Sequence, residues 1–578
     1  MKIFSKINKS DSAIPISARR DVKRRNIMQL LLGIAIILAV NALGSVKFAR
    51  FDLTSEKRYT LTEGTRSMLR QLDDLVFFRV YLEGNFPAGF KRLRNQTREM
   101  LDEFRAYSGN LQYAFVNPLE APDRDGLMDM LVQKGLQPTQ LQVREDDATS
   151  QQIIFPGALV SYRGKEVPLK LLQDQVGKPA EDVLNNSGQA LEYQLANTIR
   201  QLTATSRQKV AFLEGHGELE NRYIADLANS LSDFYQVERL PLQNNLAELL
   251  EFKTLIAAKP QIAFTEEEKF LLDQYIMQGG SMLWLVDPVF ATMDSLVPPS
   301  FESIGMAWPL NLEDLFFRYG VRLNTDLLMD LRAAPIPVTT GMVGDRPQIS
   351  LLPWYFFPLL DPVGDHKIVK NLNLVRSEFI SSLDTVSAGG IEKTILLQTS
   401  PYTRVVPTPA RVALELLQQQ PDEQEYQAGP RSVAVLLEGS FQSVFRNRLK
   451  PEVTLPEGMT LREESLPTAM IVAADGDLVR NQFGQGGQPL PLGYDRYSGE
   501  TFANLDFIMN AVNYLADDSG ILEARVKEVR LRMLDRTRIN RDKIRIQLTN
   551  LLLPVLLLAM FGTLRFIWRK RRYAGKTL

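Results

Sequence analysis

Val210-Ala211-Phe212-Leu213-Glu214-Gly215-His216-Gly217-Glu218 is the stretch on which the fold of the main domain turns. A short apolar run stopped by two glycines reads as a buried strand entering a tight turn, with a helix to follow. The unit recurs downstream. Lys253 to Ala258 is another strand, stopped at Lys259-Pro260. Thr265-Glu266-Glu267-Glu268 then spells a capping box: the Thr265 hydroxyl accepts from the Glu268 amide, and the Glu268 carboxylate reaches back. The helix it opens runs to Met277 and stops at Gly279-Gly280. Met282 to Val286 forms the next strand, ending at Asp287-Pro288. Strand and helix in alternation imply a mostly parallel sheet. This α/β domain takes in 207–518. Thr394 to Leu397, Val433 to Leu437 and Ala469 to Ala473 are further strands, and the proline-rich 300–430 reads as an elaboration.

Upstream, residues 75–82 read as a strand and residues 90–107 as a helix. Phe90, Leu93, Thr97, Leu101 and Phe104 recur near a 3.6 period, with Gly109 as the stop. Leu111 to Val116 completes a βαβ unit. A short helix (Leu127 to Val132), a hairpin (Ala158 to Tyr162, turning at Arg163-Gly164 into Glu166 to Leu169) and a helix (Leu191 to Leu202) follow. Over 47–206 this βαβαββ order with its closing helix resembles a thioredoxin-like sandwich in topology alone, because the redox cysteines are missing. The chain has no cysteine at all, which also removes disulfides, thiolate metal sites and thiol nucleophiles.

Both ends read as membrane spans. Asn26 to Val46 and Ile546 to Leu564 carry no charge, and a helix of either length crosses a hydrocarbon core. The spans are placed at 26–46 and 546–567. Pro554 lies within the second. The first is read as a retained anchor rather than a cleaved signal, its apolar run being long for a signal peptide. Orientation follows the flanking cations. The tail 1–25 carries Lys2, Lys6, Lys9, Arg19, Arg20, Lys23, Arg24 and Arg25. The tail 568–578 carries Arg569, Lys570, Arg571, Arg572 and Lys576. Both termini are therefore expected in the cytoplasm and the large region in the periplasm. Residues 525–545, the cation-rich part of the basic juxtamembrane segment 519–545, oppose that orientation and could contact lipid phosphates or an acidic partner. Polar Asn41 and Asn550 within the spans are expected to face protein rather than lipid. The remaining composition is ordinary: 578 residues, 45% hydrophobic and 23% charged. A net charge of -1 offers no electrostatic case for nucleic acid.

Chemistry-bearing motifs are few. No GxxxxGK[ST] loop occurs, so ATP hydrolysis is not expected of this chain. Gly279-Gly280-Ser281 precedes a strand instead of following one, against a nucleophile elbow. Gly215, His216, Gly217 and Glu218 allow two readings: backbone N–H groups open to a ligand or partner, or a turn that needs glycine dihedrals. Asp475 and Asp477 could contact a cation or simply form a solvated turn. No catalytic residue, cofactor or metal site is assigned.

The chain is similar to the GldG-like family of Bacteroidetes, the auxiliary subunit of the gliding-motility ABC transporter. The residues that carry the resemblance are Arg50-Phe51-Asp52-Leu53-Thr54-Ser55-Glu56-Lys57-Arg58-Tyr59-Thr60-Leu61, Leu191-Glu192-Tyr193, Phe212 to Glu218, Val433 to Gly439 with Ser443-Val444-Phe445, Ala474 to Asp477, and Asn510 to Leu515 through Leu531 to Asp535. The resemblance implies an inner-membrane subunit working with a multi-span permease and a separate cytoplasmic ATPase. It also implies that the main domain is shared with an intraflagellar-transport protein and is related to the doubly wound class I glutamine amidotransferases. Those enzymes use a cysteine, so the fold is expected to be silent here. Function is accordingly expected to be non-enzymatic and linked to gliding motility or export. The alternatives are an extracytoplasmic binding subunit for a sugar, peptide or lipid, and a membrane-anchored hydrolase.

Overall fold

The computed structural model describes residues 16–46, 60–145, 148–173, 179–204, 207–243, 245–343, 346–452, 458–516, 520–526 and 536–574. The first fifteen residues of the basic tail, the Arg50 to Tyr59 part of the family-like motif, residues 527–535 of the basic segment and the last residues from 575 lie outside them. Met1–Thr60 and Leu61–Leu578 are separate units. In the first, Ile16–Val46 is a continuous helix that contains all of 26–46.

In the second unit the central sheet is built from β1 (Lys209–Glu214), β2 (Gln236–Pro241), β3 (Thr254–Ala258), β4 (Ser281–Leu285), β5 (Ala333–Val343), β6 (Arg346–Pro362), β7 (Ile391–Gln398), β8 (Ser432–Gly439) and β9 (Thr468–Ala473). Their order is β5-β6-β7-β8-β9-β4-β3-β1-β2. Strands β2, β1, β3, β4 and β9 are parallel. Strands β8, β7, β6 and β5 continue the sheet antiparallel. The sheet is thus parallel over only half its width, short of the expectation. A parallel connection needs a crossover, usually helical, and the chain from β5 to β8 has little helical periodicity to supply one.

The parallel strands are continuous apolar runs because both faces are covered. Along β4, Leu283 and Leu285 face the core that holds Phe507, Ile508, Ala511 and Leu515 of helix Asn504–Ala516. Met282 and Trp284 face the opposite core, with Phe270, Tyr275 and Ile276 of helix Glu266–Met277. That helix starts on the expected capping box, both of whose bonds are present. Half of the prolines of 300–430, Pro335, Pro337, Pro347, Pro353, Pro358 and Pro362, sit in the long β5–β6 ribbon, where β5 is an edge strand with register shifts beside Pro335 and Thr339. Proline is tolerated at an edge or a bulge, since no ladder donor is missed there. The elaboration has its own core around Trp354, Phe356, Phe379 and Val412.

The first α/β region has a sheet of Leu111–Phe115, Val76–Val80, Gly157–Tyr162 and Lys165–Lys170, in that order. An additional hairpin, Thr139–Glu145 with Ala148–Ile154, precedes the expected one. The closing helix is longer than periodicity indicated and spans Ala180–Thr203. Its Asn185-Asn186-Ser187-Gly188 stretch disfavours helix locally, but packing on helix Ala88–Tyr107 overrides that. An added Cβ on Gly188 would lie 2.2 Å from the Gln96 carboxamide, which would have to turn away to admit it.

The basic stretch 519–545 is not uniformly a surface. Ile521, Leu522 and Ala524 are buried in the core of the first region. Arg525 donates to Asn510 (2.9 Å) and to the Lys370 carbonyl (2.8 Å), and lies over the Tyr193 ring. Its hydrogen bonds are internal, which removes it from the expected lipid or partner contacts. From Arg536 the chain is one helix to Ala574, with Pro554 inside it. Among the described residues one helix, Arg541–Arg571, is long and apolar enough to cross a membrane.

Candidate functional site at the carboxyl edge of the parallel strands

The parallel strands run in the order β2-β1-β3-β4-β9, so the direction of winding reverses between β1 and β3. Crevices outside the carboxyl ends of such strands are where open α/β sheets bind ligands. Four turns meet at this edge: Gly215 to Glu218 after β1, Lys259 after β3, Asp287 after β4, and Asp475 to Asp477 after β9.

After β1, Gly215 and Gly217 take φ of 124° and 71°, which only glycine adopts without strain. The His216 amide donates to the Glu218 carboxylate at 2.7 Å. The His216 carbonyl accepts from the amides of Gln261 (2.6 Å) and Ile262 (2.9 Å). The possible open N–H group at His216 is therefore closed by its own turn. The imidazole is buried and stacked on Phe264, with centroids 3.8 Å apart. Nε2 lies 3.1 Å from Glu268, the capping-box residue, and Nδ1 lies 3.6 Å from Glu218. Burial pulls the imidazole pKa down, but the two carboxylates together hold it above its ordinary value.

After β3, Lys259 is in the left-handed region (φ 59°) and nearly buried. Its ammonium is 3.0 Å from Asp287 and also bonded to Asp477. Arg480 approaches Asp477 from the other side at 3.4 Å. Burial opposes charge on both partners. The facing ions nevertheless hold Lys259 above the usual ammonium range and Asp477 below the usual carboxylate range. Asp475 accepts the amides of Asp477 (2.7 Å) and Glu378 (3.3 Å). Burial, with Asp287 and Asp477 alongside, pushes it well up. The Asp475-Gly476-Asp477 turn is thus neither solvated nor open to a free cation: Lys259 supplies the positive charge. A Cβ on Gly476 would meet Lys259 Cγ at 2.6 Å and Cα at 3.0 Å, so glycine is what admits the lysine. Among the described residues no group of three or more His, Asp or Glu could hold a metal ion.

Outside this cluster a pocket of ≈ 400 Å³ opens between the loop that follows Asp477 and the elaboration, with Asp477 itself in its wall. Of the six turn residues singled out in the sequence, Asp477 alone reaches it. Lys259 and Asp287 were read only as strand stops. Their neighbours in sequence gave no sign of a partner 218 residues away. Ser281, on the elbow-like GGS, is buried, and its hydroxyl bonds to Thr254, the Lys253 carbonyl and the Leu515 carbonyl. His366 is placed elsewhere, edge-on to Tyr514 at 5.0 Å. In the two terminal helices, Asn41 and Asn550 are exposed. Thr549, by contrast, returns its hydroxyl to the Arg545 carbonyl at 2.8 Å.

A family model described as an ABC-type uncharacterized transport system matches residues 207–511, more than half of the chain and the whole of this edge. The chain belongs to that family. Its place there is that of a transport-associated auxiliary protein, in systems that in general include permease and ATPase partners. A second model, a domain of unknown function (DUF7088), matches residues 55–161. An uncharacterized protein of Borreliella burgdorferi is 21% identical over 374 residues, covering 63% of this chain and 67% of its own. Among solved structures, the mmIFT52 N-terminal domain aligns over 53% of this chain and 97% of its own, at 14% identity and TM-score 0.30. The exo-beta-1,4-mannosidase Op5Man5 from Opitutaceae bacterium strain TAV5 aligns over 72% and 51%, at 10% identity and TM-score 0.18. At TM-scores this low neither likeness transfers fold or function to this transport-system protein.

Proposed function

We propose that this chain is a non-enzymatic inner-membrane auxiliary subunit of an ABC transport complex linked to gliding motility or export. In this reading spans 26–46 and 546–567 hold a periplasmic thioredoxin-like domain and an amidotransferase-like domain, with both termini cytoplasmic. The spans pack against a multi-span permease that binds the ATPase. The observation that carries the reading is family membership over 207–511. The edge geometry supports its non-enzymatic part. The crevice where this topology would hold a ligand is filled by Lys259, Asp287 and Asp477, with the lysine locked as a charge and not available as a nucleophile. The hydrolase alternative finds no support at His216, which faces two glutamates and a phenylalanine.

The test is purification of the tagged full chain in mild detergent. A permease and an ATPase should accompany it. Replacing Asn41 and Asn550 with leucine should reduce the permease yield. If the large region without spans recovers the same partners equally well, the helices are anchors only and the packing proposal fails. Orientation is tested by single cysteines in this cysteine-free chain: one at Ser440 should react with an impermeant thiol reagent on spheroplasts, and one at Ser10 should not.

A further inference from the structure

The pocket beyond Asp477 has polar groups of very unequal availability. Asn481 and Gln482 line it, yet their amides are already occupied. Asn481 accepts from the Asp226 amide and donates to the Leu490 carbonyl. Gln482 donates to Asp495 and accepts from the Arg496 amide. Glu378 is bound to Arg376 at 2.6 Å, and Asp477 to Lys259 and Arg480. Two lining charges remain with no ion-pair partner among the described residues. The Arg496 guanidinium donates to the Phe483 carbonyl and the Tyr497 hydroxyl. Asp294 is exposed and helps hold the charge of Arg480 without forming an ion pair with it.

Apart from Thr292, whose hydroxyl accepts from the Asp294 amide, the rest of the wall is apolar, with Ile336, Pro337, Phe357, Phe379, Leu414 and Met293. Its aromatic faces are not open platforms. Arg376 lies over Phe357 at 5.2 Å and Arg496 over Tyr497 at 4.6 Å, while Phe379 meets Phe357 edge to face. A sugar needs free ring faces and many hydrogen-bonding partners, and this wall offers neither. An acyl chain ending in an acid would satisfy Arg496 and leave Asp294 facing an anion.

We propose that this pocket binds a short peptide with apolar side chains, its carboxylate on Arg496 and its ammonium on Asp294. A planar guanidinium without a carboxylate is matched bidentately by a peptide C-terminus. A volume of ≈ 400 Å³ lies within the range of small-ligand sites. This assignment rests on the auxiliary reading and names what such a subunit would sense or present to the complex.

The test is calorimetric titration of the purified full chain in detergent, corrected for micelles alone, with trileucine, trileucine amide, N-acetyl-trileucine and maltotriose. Trileucine should bind. Removing its carboxylate should weaken binding roughly tenfold or more. Arg496→Gln should weaken trileucine similarly and become indifferent to amidation, while Asp294→Asn should become indifferent to acetylation. Both residues are exposed, and unchanged tryptophan fluorescence checks that the variants fold. No heat with trileucine, retained discrimination in Arg496→Gln, or binding of maltotriose that Arg496→Gln abolishes would each overturn the proposal. The same preparation is examined for permease and ATPase. Failure of peptide binding with both partners present removes this inference alone. Absence of the partners removes the auxiliary reading instead.

Discussion

The turn after β1 and the turn after β9 leave one edge of the same parallel strands, and each sets acids beside glycine. They bury charge in different ways. After β1 the cation is an imidazole held between Glu218 and Glu268, so its charge depends on pH. After β9 the cation is the Lys259 ammonium between Asp287 and Asp477, and it stays charged across the physiological range. The glycines differ too. Gly215 is needed for its dihedral, with nothing near a would-be Cβ, whereas Gly476 is needed for space against Lys259. One turn is a conformational solution and the other a packing solution to the same problem of closing a crevice.

The largest expected effect comes from breaking the second turn. Lys259→Met leaves Asp287 buried without its cation and Asp477 with Arg480 alone. It should lower unfolding stability by about 3–5 kcal/mol, because removing one partner strands the other's charge. Chemical denaturation of the full chain, followed by tryptophan fluorescence, measures it. A loss near zero would mean that the cluster is hydrated in solution.

Gly476→Ala should cost about 1–3 kcal/mol as overpacking against Lys259. In the Lys259→Gly background, which removes Cγ and Cβ but leaves Cα at 3.0 Å, the penalty should be partly relieved. Gly215→Ala offers no such rescue, since its cost is dihedral. Equal rescue of both would erase the distinction drawn between the two turns.

Thr265→Ala removes the capping-box hydroxyl that helps hold Glu268 in place, at about 1 kcal/mol. It should also loosen the grip on His216, read as a lower imidazole pKa in an NMR titration.

The smallest effect is a difference in slope with pH. The folded-state pKa of His216 is raised above 6.5. Its contribution is therefore fully present below the unfolded value and lost as pH rises through the folded one. The stability gap between wild type and His216→Gln should narrow from pH 6 to pH 9. The gap to Lys259→Met should widen instead, because the stranded carboxylate has a raised folded-state pKa and loses stability as pH rises. A gap that widens for His216→Gln would reverse the sign assigned to the two glutamates.

How much was legible follows from the range of each interaction. The helix Glu266–Met277 and its cap were readable because Thr265 and Glu268 are three residues apart and complete each other locally. β3 and β4 were readable because strands buried on both faces must be apolar throughout. The β5–β6 ribbon was not, since its prolines are acceptable only where an edge or a bulge makes the missing donor harmless, and edges belong to the assembled sheet. At the candidate site, Asp477 was noticed but its partner was not.

By itself the sequence determined four of the five parallel strands, β1, β3, β4 and β9, the helix Glu266–Met277 with its cap, and that the C-terminal helix can cross a membrane, but not β2 or the helix Asn504–Ala516. These depend on residues within a few turns of one another. The tertiary structure alone decided that Lys259 meets Asp477 across 218 residues, that Arg525 is fastened inside instead of facing a partner, and that Arg496 and Asp294 face one pocket still unpaired. Those outcomes depend on which strands become neighbours. A charge's partner is chosen by proximity in space, and a chain carries no local record of it.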